Sequence, residues 1–259
     1  MTAICRHGST GRGARPRSKS ASACARNGVA EHPGVMQGYD YSITGSAYRP
    51  HDLVWIDVAA LPADTPAWAL TCMAEGAPAV VRRAPRKGRS LPVGIRGAYR
   101  GQRHATVVDH ECVRRCIAPE TLIGRRGERV PALACLARVG VILSTQNIIW
   151  GITGAVGFEL ASAISACHVE SDLDLLVRAP ERLTREQARR LHASLAVLPV
   201  RCDVQLETPA GAIALAEWAG AAEQVLVKSD TGPWLSADPW AGIRDLSIAP
   251  CDALTQALN

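Results

Sequence analysis

Asp172 and Asp174 stand one residue apart in Glu170-Ser-Asp-Leu-Asp-Leu-Leu-Val. Side chains alternate faces along a strand, so both carboxylates project from one side of a strand that continues inward as Leu175, Leu176 and Val177. Two like charges on one face repel each other, and such a pair is tolerated where a divalent cation or solvent screens it. Magnesium binds through one or two carboxylates and completes its shell with substrate phosphates. Asp172 and Asp174 are therefore the expected metal ligands, and Mg2+ the expected cofactor. On the Asp-x-Asp spacing alone, a solvated pair at a strand edge stays open.

Two further features point the same way. Upstream lies a strand, a glycine turn and a helix: Trp150-Gly-Ile-Thr-Gly-Ala-Val-Gly-Phe-Glu. Gly154 lets backbone approach a phosphate closely, and a helix starting near Gly157 offers it free N–H groups and a positive dipole end. A third acid, Asp203, sits on a later strand, where it is expected to join the metal site or to take a hydroxyl proton. Arg82, Arg83, Arg96, Arg100 and Arg103 concentrate cationic groups in the first half of the chain. Arg96, flanked by Gly94 and Gly97, is the one expected to reach phosphate. Lys228, after the apolar Val225-Leu-Val, is a second candidate. His51 suits either a general base or a structural hydrogen bond. The six tryptophans suit core packing better than adenine stacking.

These residues need a frame. In the first half, strands are expected over 53–58, 79–83 and 93–97, with a helix over 67–74 capped by Thr65 and opened by Pro66. Residues 86–89 read as a charged turn and 124–128 as a linker. In the second half, helices are expected over 131–143 and 158–167 and from the Thr184/Gln187 capping box through Leu195. Strands are expected over 148–153, 173–177 and 202–207, the last turning at 208–211 into an antiparallel return over 212–215, with one more at 225–228. The fold class is α+β: a disordered basic extension over 1–45, a small N-terminal α/β domain over 46–128, and a mixed-sheet catalytic domain over 129–259.

Composition bounds the partners. Of 259 residues, 47% are hydrophobic and 20% charged, as in a globular protein rather than a disordered or coiled-coil chain. Six basic residues and one acid fall within residues 1–35, and the rest balances 23 basic against 23 acidic, so the net +5 belongs to the tail. A broad phosphate-tracking surface is not expected, so nucleic acid is not an expected partner. No apolar run approaches a membrane span, and no secretory segment is recognisable, so a cytoplasmic location is expected. Nine scattered cysteines then read as reduced thiols. His110, Cys112 and Cys116 lack a fourth zinc ligand, and idle thiols are the preferred reading.

A glycine turn, a helix, Asp-x-Asp on a strand and a lone Asp on a later strand together resemble the polymerase-β-type nucleotidyltransferases. Gly154-Ala155 stands where that superfamily usually has Gly-Ser. Further phrases narrow the likeness: Arg49-Pro-His-Asp-Leu-Val-Trp, Pro92-Val-Gly-Ile-Arg-Gly with Gln102-Arg103, Ser171-Asp-Leu-Asp-Leu-Leu, Asp203-Val-Gln-Leu-Glu-Thr-Pro-Ala-Gly, Glu217-Trp-Ala and Ala237-Asp-Pro-Trp. Over about residues 48–240 the chain resembles the phosphoribosyl-dephospho-CoA transferases of malonate decarboxylase, its holo-acyl-carrier-protein synthases. The resemblance implies a nucleotidyltransferase-like domain with catalytic acids at Asp172 and Asp174 and with Ser171 in the substrate site. It also implies a donor, triphosphoribosyl-dephospho-CoA, and an acceptor, a serine of the decarboxylase's apo acyl-carrier subunit. A phosphodiester forms and diphosphate leaves. The alternatives are transfer to a different acceptor, or a non-catalytic nucleotide-binding assembly module, which Ala155 favours.

Overall fold

The structure is a computed structural model that describes residues 48–99 and 101–241. The basic extension over 1–45, Arg100, and the cysteines at 5, 24 and 251 lie outside the described residues. The described part is α+β, as expected, and is built on two sheets.

The first sheet has the order β4-β3-β2-β1-β5, from β1 (Leu53–Ile56), β2 (Ala79–Val81), β3 (Ser90–Arg96), β4 (Arg103–Asp109) and β5 (Val113–Ile117). Every pairing in it is antiparallel; β2, β3 and β4 follow one another directly, α1 lies between β1 and β2, and β5 returns to the far edge to pair with β1. β4 and β5 are additions to the expected strands. Their alternation is masked by Arg103, Arg114 and Arg115, which stand on solvent-facing edges. Helix α1 (Ala67–Ala74) buries Ala69 and Met73 with Val54, Ile56, Val81, Leu91, Val93 and Ile95. On β3 the inward set is Leu91, Val93 and Ile95, which turns Arg96 to the opposite side. Thr65 does not cap α1. The backbone N–H groups of Ala69 and Leu70 donate to Pro66 O, and Thr65 Oγ1 is buried without a partner among the described residues. Pro66, held extended at ψ 142°, is itself the cap.

The second sheet has the order β11-β10-β9-β8-β7-β6. Its strands are β6 (Ile149–Ile152), β7 (Leu173–Arg178), β8 (Cys202–Thr208), β9 (Gly211–Ala214), β10 (Val225–Ser229) and β11 (Gly232–Ser236). Only β7 and β8 run parallel, with Asp174 beside Asp203 and Arg178 beside Glu207. A parallel pair needs a crossover, and helix α5 (Arg185–Ala196) supplies it. Its capping box is as expected: Gln187 N–H donates to Thr184 Oγ1 and Thr184 N–H donates to Gln187 Oε1. Ala188, Leu191 and Leu195 are its buried stripe. β7 is covered on both faces from Leu175 onward, as a central strand must be.

Two helices differ from expectation. The segment over 131–143 is two helices, α2 (Pro131–Ala134) and α3 (Leu136–Ser144), joined at Cys135, whose ψ of −15° opens the turn. The helix expected to start at Phe158 is α4 (Gly154–Ser162) and begins four residues sooner. The reversal is compressed into Gly154, at φ +63°. The helix stops at Ala163, itself left-handed at φ 61°. Beyond it, Glu159 accepts from the N–H groups of Ala166 and Cys167 and from Arg129, which braces the loop that leads to Asp172. A further short helix, α6 (Leu215–Ala219), buries Leu215 and Trp218.

Candidate active site

The amino end of β7 and β8 gathers the acids. Asp172 precedes β7, Asp174 lies within it, and Asp203 is the lateral neighbour of Asp174 across a parallel pair spaced about 4.8 Å. The turn that delivers Asp172 is closed locally. Ser171 N–H donates to His168 O, and His168 N–H donates to Ser171 Oγ at 2.9 Å. The Ser171 hydroxyl thus holds the turn that aims Asp172.

Gly154 is fitted to Asp174 in two ways. Its φ of +63° suits glycine, and a Cβ there would lie 1.8 Å from Asp174 Oδ2. Thr153 N–H donates to Asp174 O at 3.0 Å, which ties the start of α4 to the acid strand. The first turn of α4 therefore opens beside a carboxylate. Ala155 packs on the core, and its backbone N–H is unaffected by the missing hydroxyl.

The charges around the acids are uneven. Burial raises the Asp174 carboxyl above the usual aspartate range, and the neighbouring Asp203 and Asp172 push it further in the same direction. Arg201 and Arg96 oppose this without cancelling it. Arg201 forks Asp203, with Nε at 3.0 Å from Oδ1 and Nη2 at 2.8 Å from Oδ2, and its Nη1 lies 3.9 Å from Asp172 Oδ2. Arg96 crosses from the first sheet to lie over the Phe158 ring of α4, 5.2 Å from its centroid. Burial and the adjacent Arg103 lower its affinity for a proton, while Cys167 and Asp174 raise it.

The structure thus brings together Asp172, Asp174, Asp203, Gly154 and Arg96. It does not bring Lys228 to them. Lys228 pairs with Ala212 and so lies level with Glu207, at the other end of β8. Arg201 was not among the expected residues; its place two positions before Asp203, on the same face of a strand, was the available signal.

No three His, Cys, Asp or Glu side chains among the described residues converge as a ready-made metal cage. That is compatible with magnesium, which takes few protein ligands when phosphates supply the rest. An acid held above its normal range by burial and, after that, by two neighbouring acids is a place where added positive charge is favourable. Asp172 and Asp174 fit the ion on that ground.

The acids stand on the second sheet, and Arg96 reaches toward them from the first. The model described as "Phosphoribosyl-dephospho-CoA transferase MdcG N-terminal domain" matches residues 49–119, and its C-terminal-domain counterpart matches residues 122–239. A phosphoribosyl-dephospho-CoA transferase of Pseudomonas putida strain GB-1 is 49% identical over 76% of this chain and 97% of its own. Those of Azotobacter vinelandii and Pseudomonas aeruginosa are 44% and 40% identical over 74% of this chain, covering 94% and 93% of their own. The chain belongs to the phosphoribosyl-dephospho-CoA transferase family. No solved structure matches it. No helix among the described residues is long and apolar enough to cross a membrane.

Proposed function

We propose that this transferase moves phosphoribosyl-dephospho-CoA from triphosphoribosyl-dephospho-CoA to a serine of the apo acyl-carrier subunit of malonate decarboxylase, in the cytoplasm, releasing diphosphate. The observation that carries the reading is Asp174, half-buried beside Asp203 and Asp172 and packed against Gly154. Asp172 and Asp174 are the residues that would hold magnesium, which when bound supplies charge neutralisation to the triphosphate.

The remaining work falls to the chain. The first turn of α4 gives backbone N–H groups to the departing phosphates. Arg96, over the Phe158 ring and within electrostatic reach of Asp174, adds positive charge from the first sheet. The serine oxygen attacks the phosphorus nearest the ribose; the new O–P bond forms as the bond to the diphosphate oxygen breaks. Asp203 is placed to take the serine proton, but both its oxygens are engaged by Arg201. A triphosphate offers the Arg201 guanidinium a stronger bidentate partner, and its transfer there frees Asp203. Positioning and electrostatics, rather than covalent catalysis, supply the rate.

The test is incubation with the apo carrier, the triphosphate donor and magnesium. The expected result is a mass increase on one carrier serine, matched by diphosphate release. Release of diphosphate with the carrier unmodified would assign a different acceptor.

A further inference from the structure

His51 occupies a position that its own turn disfavours. In Arg49-Pro-His-Asp, Asp52 N–H donates to Arg49 O at 3.1 Å, and His51 has φ +76°. Proline second and a left-handed residue third make a type II turn, whose third position ordinarily takes glycine or asparagine. The turn is tied down: His51 N–H donates to Val81 O, and Arg49 N–H to Asp52 Oδ2. A side chain held at such a position points to a use for that side chain.

The imidazole is laid on β8. Its Nε2 lies 2.7 Å from Gln205 Nε2, and the same amide nitrogen donates to Glu207 Oε1 at 2.8 Å. An amide nitrogen only donates, so His51 Nε2 accepts and the ring proton sits on Nδ1. Nδ1 has no partner among the described residues and is not buried. Burial holds the ring neutral, helped by Arg83, Arg178 and Lys228 and opposed by Glu207. Of these cations, Arg83 pairs with Glu207 and Asp230, and Arg178 with Glu120. Lys228 makes no ion pair among the described residues, and it lines an open depression of about 570 Å³ with Arg83. Gln205 lies two residues beyond Asp203 on the same face, about 7 Å along the strand.

We propose that His51 Nδ1–H donates to an anionic oxygen of the donor's non-reacting arm, the diphosphate of dephospho-CoA, with Lys228, level with Glu207 two strands away, adding positive charge to that end of the sheet. The inference rests on the proposed donor, whose reacting phosphorus lies at the acids and whose arm must extend away from them. It does not depend on the acceptor.

Binding of dephospho-CoA alone, without triphosphate or added metal, isolates the arm. Calorimetry with the full chain compares wild type, His51→Gly, His51→Asn and Asp174→Asn. His51→Gly is expected to bind about 10-fold more weakly or worse, the loss typical of one hydrogen bond to a charged group. Its Tm is expected to hold or rise, because glycine relieves the turn. His51→Asn keeps a donor and tolerates the left-handed region, so it is expected to recover most of the binding. Asp174→Asn is expected to bind as wild type does while turning over nothing. Binding by His51→Gly within two-fold of wild type would overturn the inference. So would a lower Tm in His51→Gly with no recovery in His51→Asn, which would make the imidazole a brace between the sheets. Wild type that modifies the carrier yet binds no dephospho-CoA would sink the subsite and leave the proposed function standing. Wild type that binds dephospho-CoA but leaves the carrier unmodified would do the reverse.

Discussion

β7 and β8 carry two charged sites on one face, and the two are built oppositely. At the amino end, Asp174 lies beside Asp203; four residues on, Arg178 lies beside Glu207. At the far end Arg178, Arg83 and Glu207 each have a buried or half-buried partner, and Lys228 alone makes no ion pair among the described residues. Arg178 Nε donates to Glu120 at 2.8 Å, Arg83 pairs with Glu207, and His51 and Gln205 fill the remaining space. Burial alone would raise the Glu207 carboxyl, but Arg83, with His51 and Arg178, outweighs it and holds Glu207 below its usual range. At the near end burial also raises an acid, and its neighbours are two more acids. At the far end the acids on the strand pair are matched by cations from both sheets. The near end carries more acid than base, which is the condition that the proposed magnesium would answer.

Asp174→Asn breaks the near end most completely. Removing a ligand used in the transition state is expected to lower carrier modification by about 10³-fold or more at saturating donor. The Tm is expected to hold or rise, since a buried, like-charged carboxylate becomes neutral. Mass spectrometry of the carrier and a thermal melt check both halves. Turnover within ten-fold of wild type would remove Asp174 from the chemistry.

Gly154→Ala is the next largest. The new methyl overlaps Asp174 Oδ2 on a backbone strained for alanine, so either the carboxylate or the start of α4 must move. A displacement near 1 Å is expected to cost about 10²-fold in kcat. The same steady-state assay reads it, with dephospho-CoA binding as the control that stays unchanged.

The near end was far more legible in the sequence than the far end. Asp-x-Asp on a strand, a glycine before a helix and a later lone acid are local patterns, and α5 with its capping box could be read from Thr184 and Gln187. The far end depends on pairings distant in sequence, such as Arg83 with Glu207 and Arg49 with Glu120, which no periodicity encodes. For the same reason the place of Lys228, level with Glu207 and away from the acids, is visible only in the β8–β9–β10 register. The start of α4 was misplaced because a turn ordinarily needs several residues, and here a single left-handed glycine makes it. β4 and β5 were missed because arginines on an edge strand break the apolar alternation.

Arg83→Met tests the far end in the currency of stability. It leaves Glu207 buried without its guanidinium, and breaking a buried pair this way costs about 3–5 kcal/mol. Urea unfolding at neutral pH is expected to show that loss, and the Glu207→Gln second variant is expected to recover part of it. No loss would mean that the junction is not held by charge.

Glu159 extends the comparison to acid. Burial opposes ionisation here, but Arg129 and the N–H groups of Ala166 and Cys167 bring the carboxyl from 4.5 down to about 2. A carboxyl depressed in the folded state stabilises it above the unfolded value, and that stability fades as pH falls from 4.5 toward 2. Glu159→Gln, which lacks this titration, is expected to be less stable than wild type at pH 7 and closer to it at pH 3. Urea midpoints at the two values measure the convergence; a constant gap would assign the bracing of the loop to packing.

Arg201→Met has the smallest expected effect on stability, and it sharpens the contrast most directly. Arg201 and Arg83 each fork or clasp an acid on β8, but the Arg201–Asp203 pair has side chains 70% and 46% exposed, against 18% and 12% for Arg83–Glu207. Solvent screens the exposed pair, so its loss is expected to leave the urea midpoint nearly unchanged and to matter still less in added salt. The same variant removes the cation that competes for Asp172 and Asp203, so turnover and stability are expected to part company: activity falls because the phosphates lose a partner, while the urea midpoint barely moves. If Arg201→Met instead destabilises the protein as much as Arg83→Met, both ends of the strand pair are structural junctions and the distinction drawn between them fails.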